Sequence, residues 1–165
     1  MTDSNQTVER RGDKPTLRVV AAEVERNGQF LITQRREQAI FPLYWEFPSG
    51  KVEPSESDEA ALKRELAERL GVEVRVGART MSVQQEHDDY ILHFYVYQCE
   101  LPSDQIPRAL KVLDWRWIHP HEMAAYPFPP ADAQTTRRLI DQRAEVQDEV
   151  HDQAVTRSRD DEVDC

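Results

Sequence analysis

The sequence predicts an α+β fold built on a mixed sheet, on three observations. Short runs rich in β-branched and aromatic residues recur at LRVVAAEV, FLITQR, 74–85, 90–99 and 113–118. Two stretches, about 57–70 and about 129–149, instead carry apolar residues at helical spacing. The resulting order β, β, α, β, β, β, α lacks the strict alternation of a parallel α/β sheet. At 165 residues one domain with modest tails fits, and two would be cramped.

Taken in order, residues 1–16 are polar, carry Gly12 and Pro15 and lack the apolar stretch of a secretory signal, so they read as a flexible N-terminal segment before a domain over 17–145. Asn27-Gly28 between the first two strands is a tight-hairpin signal, because both turn positions tolerate positive φ. Pro42 and Pro48 interrupt the next stretch, yet Phe41, Tyr44, Trp45 and Phe47 make it too aromatic for a free linker; it lines something. Ser55 or Ser57 caps the first helix, Asp58 and Glu59 suit its positive end, and Gly71 marks its stop. Ala61, Leu62, Leu66 and Leu70 form its apolar stripe. A polar bend, Glu86 to Asp89, separates the third and fourth strands, and Leu139, Ile140 and Ala144 mark the closing helix. Residues 146–165 read as an acidic, disordered tail.

Charge narrows the partners. With 31 acidic against 21 basic residues the formal charge is -10, which opposes polymeric nucleic acid and anionic membranes, since phosphate neutralisation needs clustered Lys and Arg. Much of the excess is local: residues 141–165 hold nine acids and three bases. No apolar run approaches the roughly 20 residues of a membrane helix. Cys99 and Cys165 are too few for a disulfide framework or a cysteine metal site, so a reducing, cytoplasmic setting is expected; a monomer or homodimer is the expected assembly. The scattered histidines, among them His93, His119 and His121, suggest no metal cluster, and Cys99 reads as a buried strand residue.

The chemistry concentrates in GKVEPSESDEAALKRELAERLGV, residues 50–72. Glu65 and Glu68 lie three apart on the helix and share a face, an arrangement that costs stability unless a cation bridges the carboxylates. Hard oxygen donors point to Mg²⁺, with Mn²⁺ as a substitute, and such an ion neutralises substrate phosphates.

This stretch resembles the Nudix box: Gly50, Glu56, Arg64, Glu65, Leu66, Glu68, Gly71 and Val72 fall on eight of its nine fixed positions. Average composition gives such a match by chance in about one chain in 10⁵. The likeness continues through WEFPSGKVE, DWRWI and YPFPPAD and is closest to the MutT-type branch. It implies an αβα sandwich and a Mg²⁺-dependent hydrolysis in which water attacks an internal phosphate of a nucleoside triphosphate, releasing monophosphate and pyrophosphate. An oxidised purine such as 8-oxo-dGTP, removed from the nucleotide pool to protect DNA, is the first expectation; CTP or a modified dCTP is the alternative. By the same resemblance Glu65 and Glu68, with the Ser49 carbonyl, hold the ion, and Arg64 braces Glu56. Either Glu65 or a water network activates the nucleophile. Arg35 and Lys51 meet phosphates or the base rim, Phe47 walls the base pocket, and Asp132 either reads the base edge or caps the closing helix.

Two positions depart from that pattern. Arg69 replaces the second acid of the Glu-Glu pair, and Lys111, aligned through Trp117 rather than Trp115, replaces a further acid. Fewer carboxylates imply weaker ion binding, to one ion rather than three. Either Arg69 and Lys111 contact phosphates in place of the missing ions, or the domain binds nucleotide without turning it over.

Overall fold

The computed structural model describes residues 14–142, 144 and 145. Residues 1–13 of the N-terminal segment and the acidic tail from 146, with Cys165, lie outside these residues, while Thr16, read as part of that segment, already opens the first strand. Seven strands, β1 (Thr16–Arg26), β2 (Gln29–Gln34), β3 (Trp45–Glu46), β4 (Ser49–Lys51), β5 (Arg75–Glu86), β6 (Ile91–Glu100) and β7 (Asp114–Ile118), form a sheet with the helix α1 (Asp58–Leu70) on one face. A second helix, α2, covers 133–142. No helix among the described residues is long and apolar enough to cross a membrane.

The hairpin forms as its turn residues require, with Asn27 at φ 53 and Gly28 at φ 77. β1 then serves as the spine of the sheet. It runs parallel to β6 from Thr16↔Ile91 to Val24↔Cys99 and antiparallel to β4 through Val20↔Gly50. Antiparallel β5 completes that edge, while β2 carries β3 on one side and β7 on the other. The pairing is therefore mixed, as expected.

Side-chain alternation divides the core into two layers. Val20, Ala22 and Val24 of β1 face the apolar stripe of α1, Ala61, Leu62, Leu66 and Leu70. Ala21, between them in sequence, faces the other layer with Phe47, Phe94, Val96, Met123 and Leu139 of α2. Helices on both faces of the sheet make an αβα sandwich. The HFYVY run of β6 divides in the same way, Phe94 and Val96 buried and Tyr95 and Tyr97 half-buried against the α1 layer.

Three details differ from the sequence reading. The proline-broken segment contains two very short strands, β3 and β4, which pair with β2 and β1; beside them the Arg35 N–H donates to the Tyr44 carbonyl and the Ala22 N–H to the Pro48 carbonyl. A 3-10 helix, Pro120–Ala125, follows β7. A 3-10 turn over Pro130–Asp132 precedes α2, so α2 begins at 133 rather than at the proline pair.

Candidate active site

Helix α1 is held at both ends by residues suited to the task. Ser57 caps it by accepting from the Ala60 N–H at 3.1 Å. At the other end Gly71 adopts a left-handed conformation, φ 65, and its N–H donates to Ala67. The loop after β6 closes over that end: Arg108 N–H donates to the Leu70 carbonyl, and both Leu110 and Lys111 N–H groups donate to the Arg69 carbonyl. Lys111, some forty residues beyond the box, is thereby pinned beside Arg69. Downstream, Trp117 pairs with Leu31 and Trp115 with Thr33 in the β7–β2 register.

Glu65 enters the site from the middle of α1 and is 8% exposed. It fits only because Gly50 has no side chain: a methyl group there would overlap Glu65 Cγ and Cδ. Both of its oxygens are occupied by cations. Arg64 Nη1 donates to Oε1 at 2.8 Å and Arg69 Nε to Oε2 at 2.6 Å. Glu68, one turn on, is half exposed, with Arg64 Nη1 and Lys111 Nζ each 3.8 Å from its Oε2. Arg64 also grips Glu56 through two bonds, 2.8 and 2.9 Å, and donates to the Lys51 carbonyl at 2.9 Å. That fork holds the Glu56 carboxyl down at about 2.

A cleft of about 610 Å³ opens beside these groups, and its charged lining is Arg35, Arg36, Glu46, Glu65, Glu68, Arg69 and Lys111. Arg35 spans its inner wall, donating to Glu46 Oε2 at 2.7 Å and to the Ile40 carbonyl at 2.6 Å. The turn it holds carries Phe41 and Leu43 at positive φ, 54 and 64, with Ile40, Phe41 and Leu43 exposed. Behind Glu46 lies Asp132, 3% exposed. The Trp45 N–H donates to the Pro127 carbonyl at 2.8 Å and draws the FPPAD segment against β3. Asp132 accepts from the Phe47 N–H, and its Oδ1 is buried without a partner, so its carboxyl does not cap α2. Burial pushes the Asp132 carboxyl well above the usual range, aided by the nearby Glu46 carboxylate; burial likewise raises Glu46, against Arg35.

Of the residues singled out from sequence, the cleft gathers Arg35, Glu65, Glu68, Arg69 and Lys111. Glu56 and Arg64 brace α1 from its side. Ser49, 7% exposed, sits on β4 beside Gly50. Phe47 is fully buried, its ring 5.6 Å from that of Phe128, so it underlies the site rather than facing the cleft. Lys51 is exposed and outside the cleft lining. Sequence reasoning missed Glu46 and Arg36; Glu46 sits between Trp45 and Phe47, where a lone acid among aromatics was the available signal. Cys99 is buried, and desolvation lifts its thiol to about 12, which leaves it no nucleophilic role at neutral pH.

The NUDIX domain model matches residues 19–138. The chain belongs to the NUDIX family. It is 40% identical over 116 residues to the CTP pyrophosphohydrolase of Escherichia coli K12, covering 70% of this chain and 85% of that protein. To the 8-oxo-dGTP diphosphatase of Haemophilus influenzae it is 34% identical over 133 residues, covering 79% and 96% respectively. The solution structure of the E. coli ORF135 protein superimposes with a TM-score of 0.69 at 37% identity, over 81% of this chain and 95% of that one. These similarities make the protein a MutT-like Nudix enzyme, a family whose members generally use divalent metal ions.

Whether this NUDIX chain suits such an ion is a question for its donors. Among the described residues no three His, Cys, Asp or Glu side chains converge on one point. What remains is Glu65 in the cradle that Gly50 leaves open, Glu68 one turn away and the Ser49 carbonyl on the adjoining strand. Hard oxygen donors of this kind suit a single Mg²⁺ or Mn²⁺.

Proposed function

We propose that the cleft hydrolyses a nucleoside triphosphate to the monophosphate and pyrophosphate with Mg²⁺, or Mn²⁺, held by Glu65, Glu68 and the Ser49 carbonyl. The observation that carries this reading is the pair of box carboxylates, Glu65 and Glu68, lining a cleft whose other charged groups are mainly cations. When bound, the ion supplies charge neutralisation and acidifies water in the site. Arg35, Arg36, Arg69 and Lys111 supply the further positive charge a triphosphate requires. Water adds at an internal phosphorus, the bridge bond to the pyrophosphate group breaks, and the proton released by the water passes to Glu65 or to solvent. Arg64, gripping Glu56 and Glu65 together, keeps Glu65 oriented for that role.

Asp132 lies behind Glu46 and outside the cleft lining, and in this proposal it reads a base that inserts past Glu46. Burial favours the protonated form of Asp132, and in that form the carboxyl offers one donor beside one acceptor, which a base edge with a neighbouring acceptor and donor complements. Oxidised guanine, with N7 protonated beside O6, has such an edge, whereas unmodified guanine shows two acceptors there. That pairing supports the 8-oxo-dGTP reading, which the likeness in WEFPSGK and FPPAD first suggested. Cytosine presents N3 beside its N4 amino group and fits equally, and the 40% identity to a CTP pyrophosphohydrolase favours CTP as the second reading. A nucleotide panel with millimolar Mg²⁺, assayed for pyrophosphate, tests both. Release from 8-oxo-dGTP far above that from dGTP is expected; release chiefly from CTP selects the second reading. The Arg69–Glu65 ion pair favours a third, a module that binds nucleotide without turnover, and absence of release from every triphosphate would leave only that one.

A further inference from the structure

Each box carboxylate placed to hold an ion is paired in this protein with a cation that would repel one. Arg69 stands where the family pattern has an acid, and its guanidinium occupies Glu65 Oε2, the oxygen not already taken by Arg64. Lys111, held by the Arg69 carbonyl, performs the parallel service at Glu68. The cleft lining therefore carries four cations against three carboxylates, a small positive excess before any metal arrives. With acids at positions 69 and 111 the same lining would be strongly negative and closed to a triphosphate unless several ions came with it. Both cations also reach solvent: the Arg69 side chain is 33% exposed and that of Lys111 59%.

We propose that Arg69 is a built-in counter-cation of Glu65 which lowers the site's affinity for divalent ions and, with Lys111, takes the substrate's polyphosphate directly. The proposal deepens the reading above, since it rests on that cleft being the triphosphate site. In the free protein the guanidinium neutralises Glu65 at the position an ion would use. On substrate binding it exchanges one oxyanion for another, carboxylate for phosphate, and the vacated Glu65 oxygen becomes available to the single ion. Metal and nucleotide binding are then positively coupled, because each removes Arg69 from the other's way.

Two binding measurements on the full chain test this without reference to turnover. In the first, Mn²⁺ alone is titrated into wild type, Arg69→Gln and Arg69→Glu, with free Mn²⁺ followed by electron paramagnetic resonance. Affinity should rise several-fold in Arg69→Gln and about tenfold or more in Arg69→Glu. In the second, inorganic tripolyphosphate is titrated calorimetrically in EDTA. Wild type should bind it, and Arg69→Gln and Lys111→Gln should each bind roughly tenfold more weakly, the loss expected for one charge-assisted contact. Mn²⁺ affinity unchanged by Arg69→Gln, or tripolyphosphate binding that is absent in wild type without a divalent ion, would overturn the proposal. Neither result depends on pyrophosphate release, so a failure of the hydrolase reading and a failure of this one are separately visible.

Discussion

Gly50 and Glu65 share one volume: the carboxylate arm of Glu65 fills the space that any side chain on Gly50 would take. The box thus begins with glycine for a steric reason, and the constraint acts between a strand and a helix rather than within either. Gly50→Ala should displace Glu65, cost about 2 kcal/mol as an overpacked site does, and lower kcat/KM more than tenfold. Thermal melts and pyrophosphate release, measured together, check the pairing of the two effects. A variant with wild-type activity would show that Glu65 is not held against this strand in solution.

Arg64 makes a fork that lysine cannot reproduce, meeting Glu56 at two points, Glu65 at one and the Lys51 carbonyl at another. Arg64→Lys should lower kcat by about tenfold while changing the melting temperature much less, since lysine keeps a positive charge beside Glu56 and Glu65 but not the fork that orients them. The pair also leaves a signature in acid. Because the Glu56 carboxyl lies at about 2 against its ordinary 4.5, its contribution to stability is present above pH 4.5 and lost as the pH falls toward 2. The stability gap between wild type and Arg64→Ala should be constant above about pH 5 and close on acidification, as urea titrations at stepped pH would record.

Asp132 carries the opposite sign. Its carboxyl is raised by burial and by Glu46, so folding favours the neutral form. The stability it contributes is full below the ordinary 3.8 and declines as the pH rises from there through the raised value. Asp132→Asn, neutral at every pH, should raise the melting temperature by a few degrees at pH 8 and change it little at pH 4. An equal shift at both values would assign the effect to packing.

Glu23 and Arg138 form a buried ion pair that joins β1 to α2, with Thr80 donating a second bond to Glu23 at 3.0 Å. The Glu23 side chain is 3% exposed, so Arg138→Ala strands a carboxylate in the core and should cost about 3 kcal/mol in chemical denaturation. The paired replacement Glu23→Leu with Arg138→Met should recover most of that loss, because it removes both desolvated charges at once.

Local periodicity made much of this protein legible. The Asn27-Gly28 turn, the stripe of α1, its Ser57 cap and Gly71 stop, and the five long strand runs all follow from backbone preferences that act over a few residues. The acids and the arginine of the box were equally readable, since helical spacing alone puts Glu65 and Glu68 on one face. Short β3 and β4 were not, because two- and three-residue strands exist only through partners in β1 and β2.

The amino-acid order by itself determined the long strands, helix α1 with its cap and stop, and the identity of the box, all of which are set by neighbours in sequence. Tertiary structure decided what the box acids touch. Glu65 is clamped between Arg64 and Arg69 behind Gly50, Lys111 reaches Glu68 because a distant loop caps α1, and Asp132 turns to Phe47 rather than to its own helix. Charge pairing and desolvation depend on distance through space and on water exclusion, and both arise only when remote segments close over one another.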